Sequence, residues 1–275
     1  MDSRNFLITG VSSGFGRAFS RAALAAGHHV VGTVRSADAA AAFEADTGGQ
    51  ALQLDVTDFD AIGPAVAGVE AELGHIDVLV NNAGYGHEGT LEETSLDALR
   101  RQFDVNVFGA VAMMKAVLPG MRQRRAGHIV NVTSMGGFIT MPGITAYCGS
   151  KFALEGISEA LAKEVAAFNV KVTALAPGSF RTDWAGRSMV RTPRAIPDYD
   201  AVFDPIRAAR QAKDGKQAGD PDKAAAALLK LVASEDPPLR LLLGTDALGL
   251  VRDKLETVQA EITAWEDLTR STDFV

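Results

Sequence analysis

The stretch "FLITGVSSGFGRAFSRAALAAG" (residues 6–27) decides the fold. A short apolar run rich in β-branched residues stops at Gly10. A segment with helical spacing (Phe19, Ala23, Leu24) begins a few residues later. Between them lies T-G-x-x-x-G-x-G, with Gly10, Gly14 and Gly16 at the turn and Ser12, Ser13 and Phe15 filling the loop. Glycines at a strand-to-helix turn allow a tight bend and let backbone N–H groups approach a pyrophosphate at the helix N-terminus. Three glycines alone are a weak signal. Their position after a buried strand and before an amphipathic helix strengthens it.

The same alternation continues outward. Apolar runs recur at "HVVGTV" (29–34), "ALQLDV" (51–56), "DVLVNN" (77–82), "HIVNVT" (128–133), "KVTALAP" (171–177) and "LRLLLG" (239–244). Strands without polar alternation suit a parallel sheet covered by helices on both faces. Leu99, Phe103, Val107, Ala110, Met114 and Leu118 fall at steps of three or four, as do Ile157, Leu161, Val165 and Phe168, which predicts helices. The sequence therefore reads as α/β: one doubly wound, Rossmann-type, seven-stranded parallel sheet forming a single domain over 1–275. Residues 183–222, with Pro193, Pro197, Pro205 and Pro221, break the rhythm and read as a lid insertion. Residues 247–270 read as an amphipathic helical tail.

Composition narrows the function. Of 275 residues, 47% are hydrophobic, and the net charge of −7 argues against a nucleic-acid protein. A single cysteine, Cys148, makes no internal disulfide and suits a reducing compartment. The N-terminus lacks the basic start and long apolar run of a secretory signal, and the uncharged runs are short for a bilayer. The expectation is a soluble, cytoplasmic protein with no membrane partner and no metal.

At this point the sequence resembles the short-chain dehydrogenase/reductase family, whose cofactor loop has the T-G-x-x-x-G-x-G form. The likeness extends through "NNAG" (81–84), "DVNVFG" (104–109), "NVTSMGG" (131–137), "YCGSK" (147–151) and "PGSFRT" (177–182), in the family's order and spacing. The arrangement "VVGTVR…LQLDVTD…PPLRLLLGTDA" is similar to the family branch that includes hydroxysteroid dehydrogenase-like and retinol dehydrogenase-like reductases. By this resemblance Asp55 and Val56 meet the adenine, and Asn82, Ala83 and Gly84 line the adenosine ribose. Pro177, Gly178, Phe180 and Thr182 close over the nicotinamide and its phosphate. Asn81 reads as structural.

The second strand ends "VVGTVRSAD" (30–38). An acidic residue at its end would bind the ribose hydroxyls of NAD and repel a 2′-phosphate. Val34 stands there instead, followed by Arg35 and Ser36, a cationic fork and a hydroxyl donor suited to a phosphate monoester. NADP(H) is expected, with NAD(H) as the alternative and Asp38 as the residue that would spoil a phosphate site.

The chemistry points to Tyr147 and Lys151. Carbonyl reduction needs a proton donor, and its reverse an acceptor, with a pKa near neutrality. Lys151 lies one helical turn beyond Tyr147, on the same face, and a nearby cation lowers a phenol's pKa. Ser134, at a strand end, offers a hydrogen bond to a substrate oxygen. The resemblance adds that Tyr147 exchanges the proton, that Lys151 also holds the nicotinamide ribose, and that Asn106 holds a relay water. Taken singly, each residue has a plainer reading: surface pair, core amide or turn serine. Cys148 reads as a small buried hydrophobe.

Toward substrate the signals thin. Tyr85, Gly86, His87, the 135–141 segment, Trp184, Met189, Tyr199 and Phe203 suggest an apolar pocket for a hydrophobic alcohol or ketone. His87 reads as a surface-loop histidine, and Arg181, Arg187, Arg191 and Arg194 as a solvated charged face. The expected activity is an NADP(H)-dependent oxidoreductase on a small carbonyl or alcohol. The alternatives are an idle NADP-binding sensor or scaffold, or an epimerase or dehydratase. The helices at 97–123 and 147–168 are expected to pair copies into a homodimer or homotetramer.

Overall fold

The computed structural model describes residues 3–184 and 186–274. Met1, Asp2 and Val275, at the ends of the expected domain, and Ala185, within the expected lid, lie outside the described residues. In chain order the elements begin with β1 (Asn5–Thr9), α1 (Gly14–Ala25), β2 (His29–Val34), α2 (Ala37–Thr47), β3 (Gln50–Gln53), α3 (Phe59–Leu73) and β4 (Val78–Asn81). There follow β5 (Gly86–Glu88), α4 (Leu96–Phe103), a π-helical turn (Asp104–Gly109), α5 (Ala110–Arg124), β6 (Gly127–Val132) and α6 (Thr145–Val165). The chain finishes with β7 (Val170–Pro177), β8 (Met189–Arg191), α7 (Asp200–Ala212), α8 (Pro221–Ala233), β9 (Arg240–Leu243), α9 (Thr245–Ala264) and α10 (Glu266–Arg270).

Seven strands form one parallel sheet in the order β3-β2-β1-β4-β6-β7-β9. The strand order reverses between β1 and β4, which opens a crevice at their carboxyl ends. Side chains alternate across the sheet. Phe6 and Ile8 point to one face with Phe19, Phe43, Leu228 and Leu231 from α1, α2 and α8. Leu7 and Leu79 point to the other with Ile62, Met113, Val117, Leu154 and Leu161 from α3, α5 and α6. Two buried cores explain the unbroken apolar strands, and each central side chain removed from water contributes about 1.5–3 kcal/mol.

Three features go beyond the expectation. The helix expected over 97–123 is α4 and α5 joined by the π-turn, giving one continuous stretch from Leu96 to Arg124 that by length and composition would reach across a membrane. Val107, Met113, Met114, Val117 and Met121 on it are buried in the protein's own interior, which accounts for its apolar character. The lid is folded: β8 pairs in parallel with β5, and Arg207 and Arg210 of α7 reach Glu88 on β5. In the tail, α9 is buried only at its root, by Ala247 and Val251.

Candidate active site

The glycine loop is shaped by its neighbours. Gly10 has φ +72°, and a Cβ there would sit 2.9 Å from Ala83 Cα. A Cβ on Gly16 would sit 2.4 Å from the Gly10 carbonyl oxygen. Any larger residue would force the loop off β4. Thr9, which the motif reading passed over, fixes the crossing: its hydroxyl accepts from Asn82 N at 3.0 Å and from Ala83 N at 2.9 Å. Asn82 Nδ2 donates to the carbonyls of Thr9 and Gly10 at 2.9 and 3.0 Å, so this side chain pins the loop.

Ser13, the N-cap of α1, makes no side-chain hydrogen bond to the helix, which leaves the first-turn N–H groups without a capping partner. Ser12 is exposed on the loop. Gly14 lies beneath Thr182, whose Cβ would be 3.5 Å from a Cβ placed on that glycine. Phe15 packs on Phe19 and Phe180 at centroid distances of 5.5 and 5.1 Å. Phe180 is therefore buried packing at this end of the sheet. Pro177 and Gly178 end β7, and the Asp246 carboxylate accepts from Ser179 N at 2.8 Å, holding that turn against the start of α9.

At the far end, Arg35 and Ser36 are exposed just past β2. Ser36 Oγ caps α2 by accepting from Ala39 N at 3.3 Å, which leaves its own proton free to donate. Asp55 accepts from the Thr57 amide and hydroxyl at 2.9 and 2.8 Å. Burial works against its charge, but these bonds, with Arg35 and Arg101 nearby, hold the carboxyl below the usual range. Val56 is buried against Gly109. Asn81 bonds the Ala110 carbonyl at 3.3 Å and the Asn131 side chain at 2.8 Å, which is a structural role.

The catalytic candidates meet at the carboxyl ends of β6 and β4. Ser134 Oγ accepts from Gly136 N at 3.0 Å and lies near enough to Tyr147 to lower the phenol's pKa. Lys151 Nζ donates to the Val132 carbonyl at 2.8 Å and lies 5.7 Å from the Tyr147 ring centroid. Tyr147, 7% exposed, is covered by Trp184 at a centroid distance of 5.0 Å. Asn106, in the π-turn, exchanges hydrogen bonds with the Tyr85 backbone, both at 3.1 Å, and donates to Ser150 Oγ at 3.2 Å. Ser150 in turn donates to the Tyr147 carbonyl at 2.7 Å. Both N–H donors of Asn106 are thus occupied, and it ties the Tyr85 loop to α6.

The electrostatics correct one expectation. Burial pushes Tyr147 up to about 12, the Ser134 hydrogen bond pulls it back only in part, and neighbouring Cys148 adds to the rise. Burial pushes Lys151 down to about 8, against the pull of Glu155. Burial outweighs the cation here, because Nζ is turned to a backbone carbonyl and both groups are dry. Cys148 is buried and its thiol is pushed up by burial, which makes it the inert hydrophobe expected.

His87 is buried on β5, not on a surface loop, with Nε2 3.1 Å from Thr192 Oγ1 and burial lowering its pKa. Of the lid arginines, Arg181 and Arg187 are exposed as expected, while Arg191 and Arg194 are partly buried in ion pairs. Arg187 bonds Asp183 at 2.7 Å, Arg181 bonds the Gln217 carbonyl at 2.7 Å, and Arg194 bonds Asp200 at 2.6 Å and Glu93 at 3.4 Å. The reading missed Glu88. It is buried, with Arg191 and Arg207 at 3.3 and 3.2 Å from Oε1 and Arg210 at 2.5 Å from Oε2. Tyr199 bonds Glu92 on the outside, and Phe203 packs on Gly143. Among the pocket candidates, Trp184 is the one in ring contact with Tyr147.

A reversing parallel sheet, a glycine cradle with an uncapped helix start, and a Ser134–Tyr147–Lys151 group at the strand ends define the class: a dinucleotide-binding oxidoreductase fold. A cradle open at Gly14 and an exposed Arg35 and Ser36 fit a dinucleotide laid across the strand ends. The family model for short chain dehydrogenases matches residues 4–190. The chain belongs to that family. It is 38% identical to oxidoreductase BOA17 of Botryotinia fuckeliana, over 96% of this chain and 97% of that one. It is 39% identical to a 3-ketodihydrosphingosine reductase of Bacteroides thetaiotaomicron, over 89% of each. A solved short-chain dehydrogenase from Streptomyces avermitilis superposes with a TM-score of 0.91 at 43% identity, covering 99% of this chain and 100% of that chain.

Proposed function

We propose that the protein is an NADP(H)-dependent oxidoreductase that interconverts a carbonyl and an alcohol on a hydrophobic small molecule. The observation that carries this is Tyr147, buried beside Ser134 at the strand ends, with Lys151 5.7 Å from its ring. A protonated phenol can give its proton to a carbonyl oxygen as that carbon is reduced. The reductase named among the relatives supports the same direction.

When bound, the dinucleotide supplies or accepts the hydride. Gly10, Gly14, Gly16 and the open first turn of α1 hold its pyrophosphate. Ser134 donates to the substrate oxygen and fixes its position. Tyr147 gives that oxygen a proton through its hydroxyl, and the charged Lys151 offsets the phenolate left behind. Asn106 and Ser150 keep Tyr147 and Tyr85 in register, and Trp184, with Met141 and Ile144 from the same apolar cluster, excludes water.

Arg35 and Ser36 select the 2′-phosphate, since no carboxylate stands at the end of β2. Fluorescence titration with NADPH and NADH, on wild type and Arg35→Ala, tests this. The expected result is tighter NADPH binding that falls about tenfold in the variant while NADH is unchanged, a charge-assisted hydrogen bond being worth about 1.5–3 kcal/mol. Equal affinity for the two cofactors in wild type would remove the NADP assignment and leave the fold untouched.

A further inference from the structure

One helical turn beyond Lys151, α6 carries a buried carboxylate, Glu155, 5% exposed. No step of the proton transfer uses it. A carboxylate leaves water only at high cost unless partners replace the solvent. Here they do. One oxygen, Oε1, accepts from the Thr133 hydroxyl at 2.6 Å, and Oε2 accepts from Arg240 Nε at 3.2 Å, while the Lys151 ammonium attracts it through space. The 135–137 turn leaves room for it: a Cβ on Gly137 would sit 2.8 Å from Glu155 Cγ.

These contacts tie the carboxylate to the end of β6 residue by residue. The Val132 carbonyl takes Lys151 Nζ at 2.8 Å, the Thr133 hydroxyl goes to Glu155, and Ser134 follows beside Tyr147. Lys151 is 7% exposed, and a carbonyl dipole only partly answers a whole charge in a dry site. On its own helix it has Glu155, with Glu159 a turn further out. From β9, Arg240 reaches both of those carboxylates. From α9, Asp246 is engaged by Ser179 N at 2.8 Å. Burial raises both the Tyr147 phenol and the Cys148 thiol, so neither is an anion at neutral pH. Of these groups, Glu155 is the one whose charge favours the ammonium form of Lys151.

We propose that Glu155 is a positioning residue for this reaction: it is the counter-charge that keeps Lys151 an ammonium beside Tyr147, and Thr133 and Arg240 hold it there. The inference rests on the reading of Tyr147 and Lys151 as the proton-transfer pair. Without the carboxylate, burial alone acts on the amine, and the cation that offsets the phenolate is lost closer to neutral pH.

Carbon NMR of the full-length protein with labelled lysines tests this without any substrate, the Lys151 signal being identified by its absence in Lys151→Met. The expected result is a titration midpoint near pH 8 in wild type and about one pH unit lower in Glu155→Gln. Glu155→Asp, which keeps the charge, stays near the wild-type midpoint. The alkaline limb of kcat/KM for a carbonyl substrate moves with the midpoint, so Glu155→Gln loses about fivefold at pH 8 and less than about twofold at pH 6. Gln has the shape of Glu, and its amide oxygen still accepts from Thr133, so a purely structural role would leave the midpoint where it is. The same Lys151 midpoint in wild type and Glu155→Gln overturns the proposal, and so does an equal shift in Glu155→Asp. A wild type that reduces no carbonyl would count against the catalytic reading alone, and the titration would still decide the role of Glu155.

Discussion

Lys151 Nζ lies 5.7 Å from the centroid of the Tyr147 ring while donating to the Val132 carbonyl at 2.8 Å. The lysine is charged and dry at the same time, and that arrangement costs stability. Its pKa in the fold is about 8 against 10.5 in the open chain. Below pH 8 both states bind the proton, so the cost is fully present; as pH rises from 8 to 10.5 only the unfolded state still holds it, and stability climbs. The difference corresponds to about 3 kcal/mol. Lys151→Met is therefore expected to raise the melting temperature at pH 7 by several degrees while lowering kcat/KM at least about a hundredfold. Thermal melts and initial rates on one preparation check both. A variant that loses activity and stability together would mean the lysine is a structural strut.

Glu88 makes a second prediction. One buried carboxylate faces Arg191 from β8 and Arg207 and Arg210 from α7, so removing its charge leaves three cations crowded around an amide. Glu88→Gln is expected to cost about 2–4 kcal/mol, the low end reflecting the partial exposure of the arginines. The loss should be concentrated in the lid, and limited proteolysis should show faster cleavage within 186–220. Uniform protection across that segment would contradict the latch.

His128 sets a third. It is buried at the start of β6, with Nε2 3.0 Å from Thr173 Oγ1, and that hydroxyl donates to the Pro238 carbonyl at 2.8 Å. Thr173 therefore accepts, and Nε2 carries the imidazole proton. Burial, helped by Lys171 and Arg4, lowers its pKa from 6.5 to about 4. The depressed value means that the unfolded chain binds a proton first as pH falls. Stability should drop between about pH 6.5 and pH 4 by up to about 3 kcal/mol, and level off below. Denaturant melts across that range check it, and His128→Gln should flatten the slope.

What the sequence made legible followed from local chemistry. The five central strands β1, β2, β4, β6 and β7 are buried on both faces, so their apolar runs stand out, and the glycine turn must be glycine for steric reasons visible in its spacing. The partition of Ser134, Tyr147 and Lys151 to one end of the sheet follows from strand ends and one helical turn. The lid sheet was not legible, because β5 and β8 are three residues each, a hundred residues apart, and held by ion pairs rather than by an apolar pattern. His87 looked exposed and Glu88 drew no notice for the same reason: a polar pair inside a glycine-rich loop carries no sign of the lid that later encloses it. The Tyr147 pKa was misjudged because spacing shows that a cation is near, while only geometry shows that both groups are desolvated.

The most direct test of the account is NADPH consumption with a panel of hydrophobic ketones and aldehydes, comparing wild type with Tyr147→Phe at pH 7. The expected result is turnover of at least one carbonyl by wild type and a loss of about a hundredfold to ten-thousandfold in the variant, with NADPH binding retained. Turnover that survives removal of the Tyr147 hydroxyl would contradict the claim that this phenol is the proton donor.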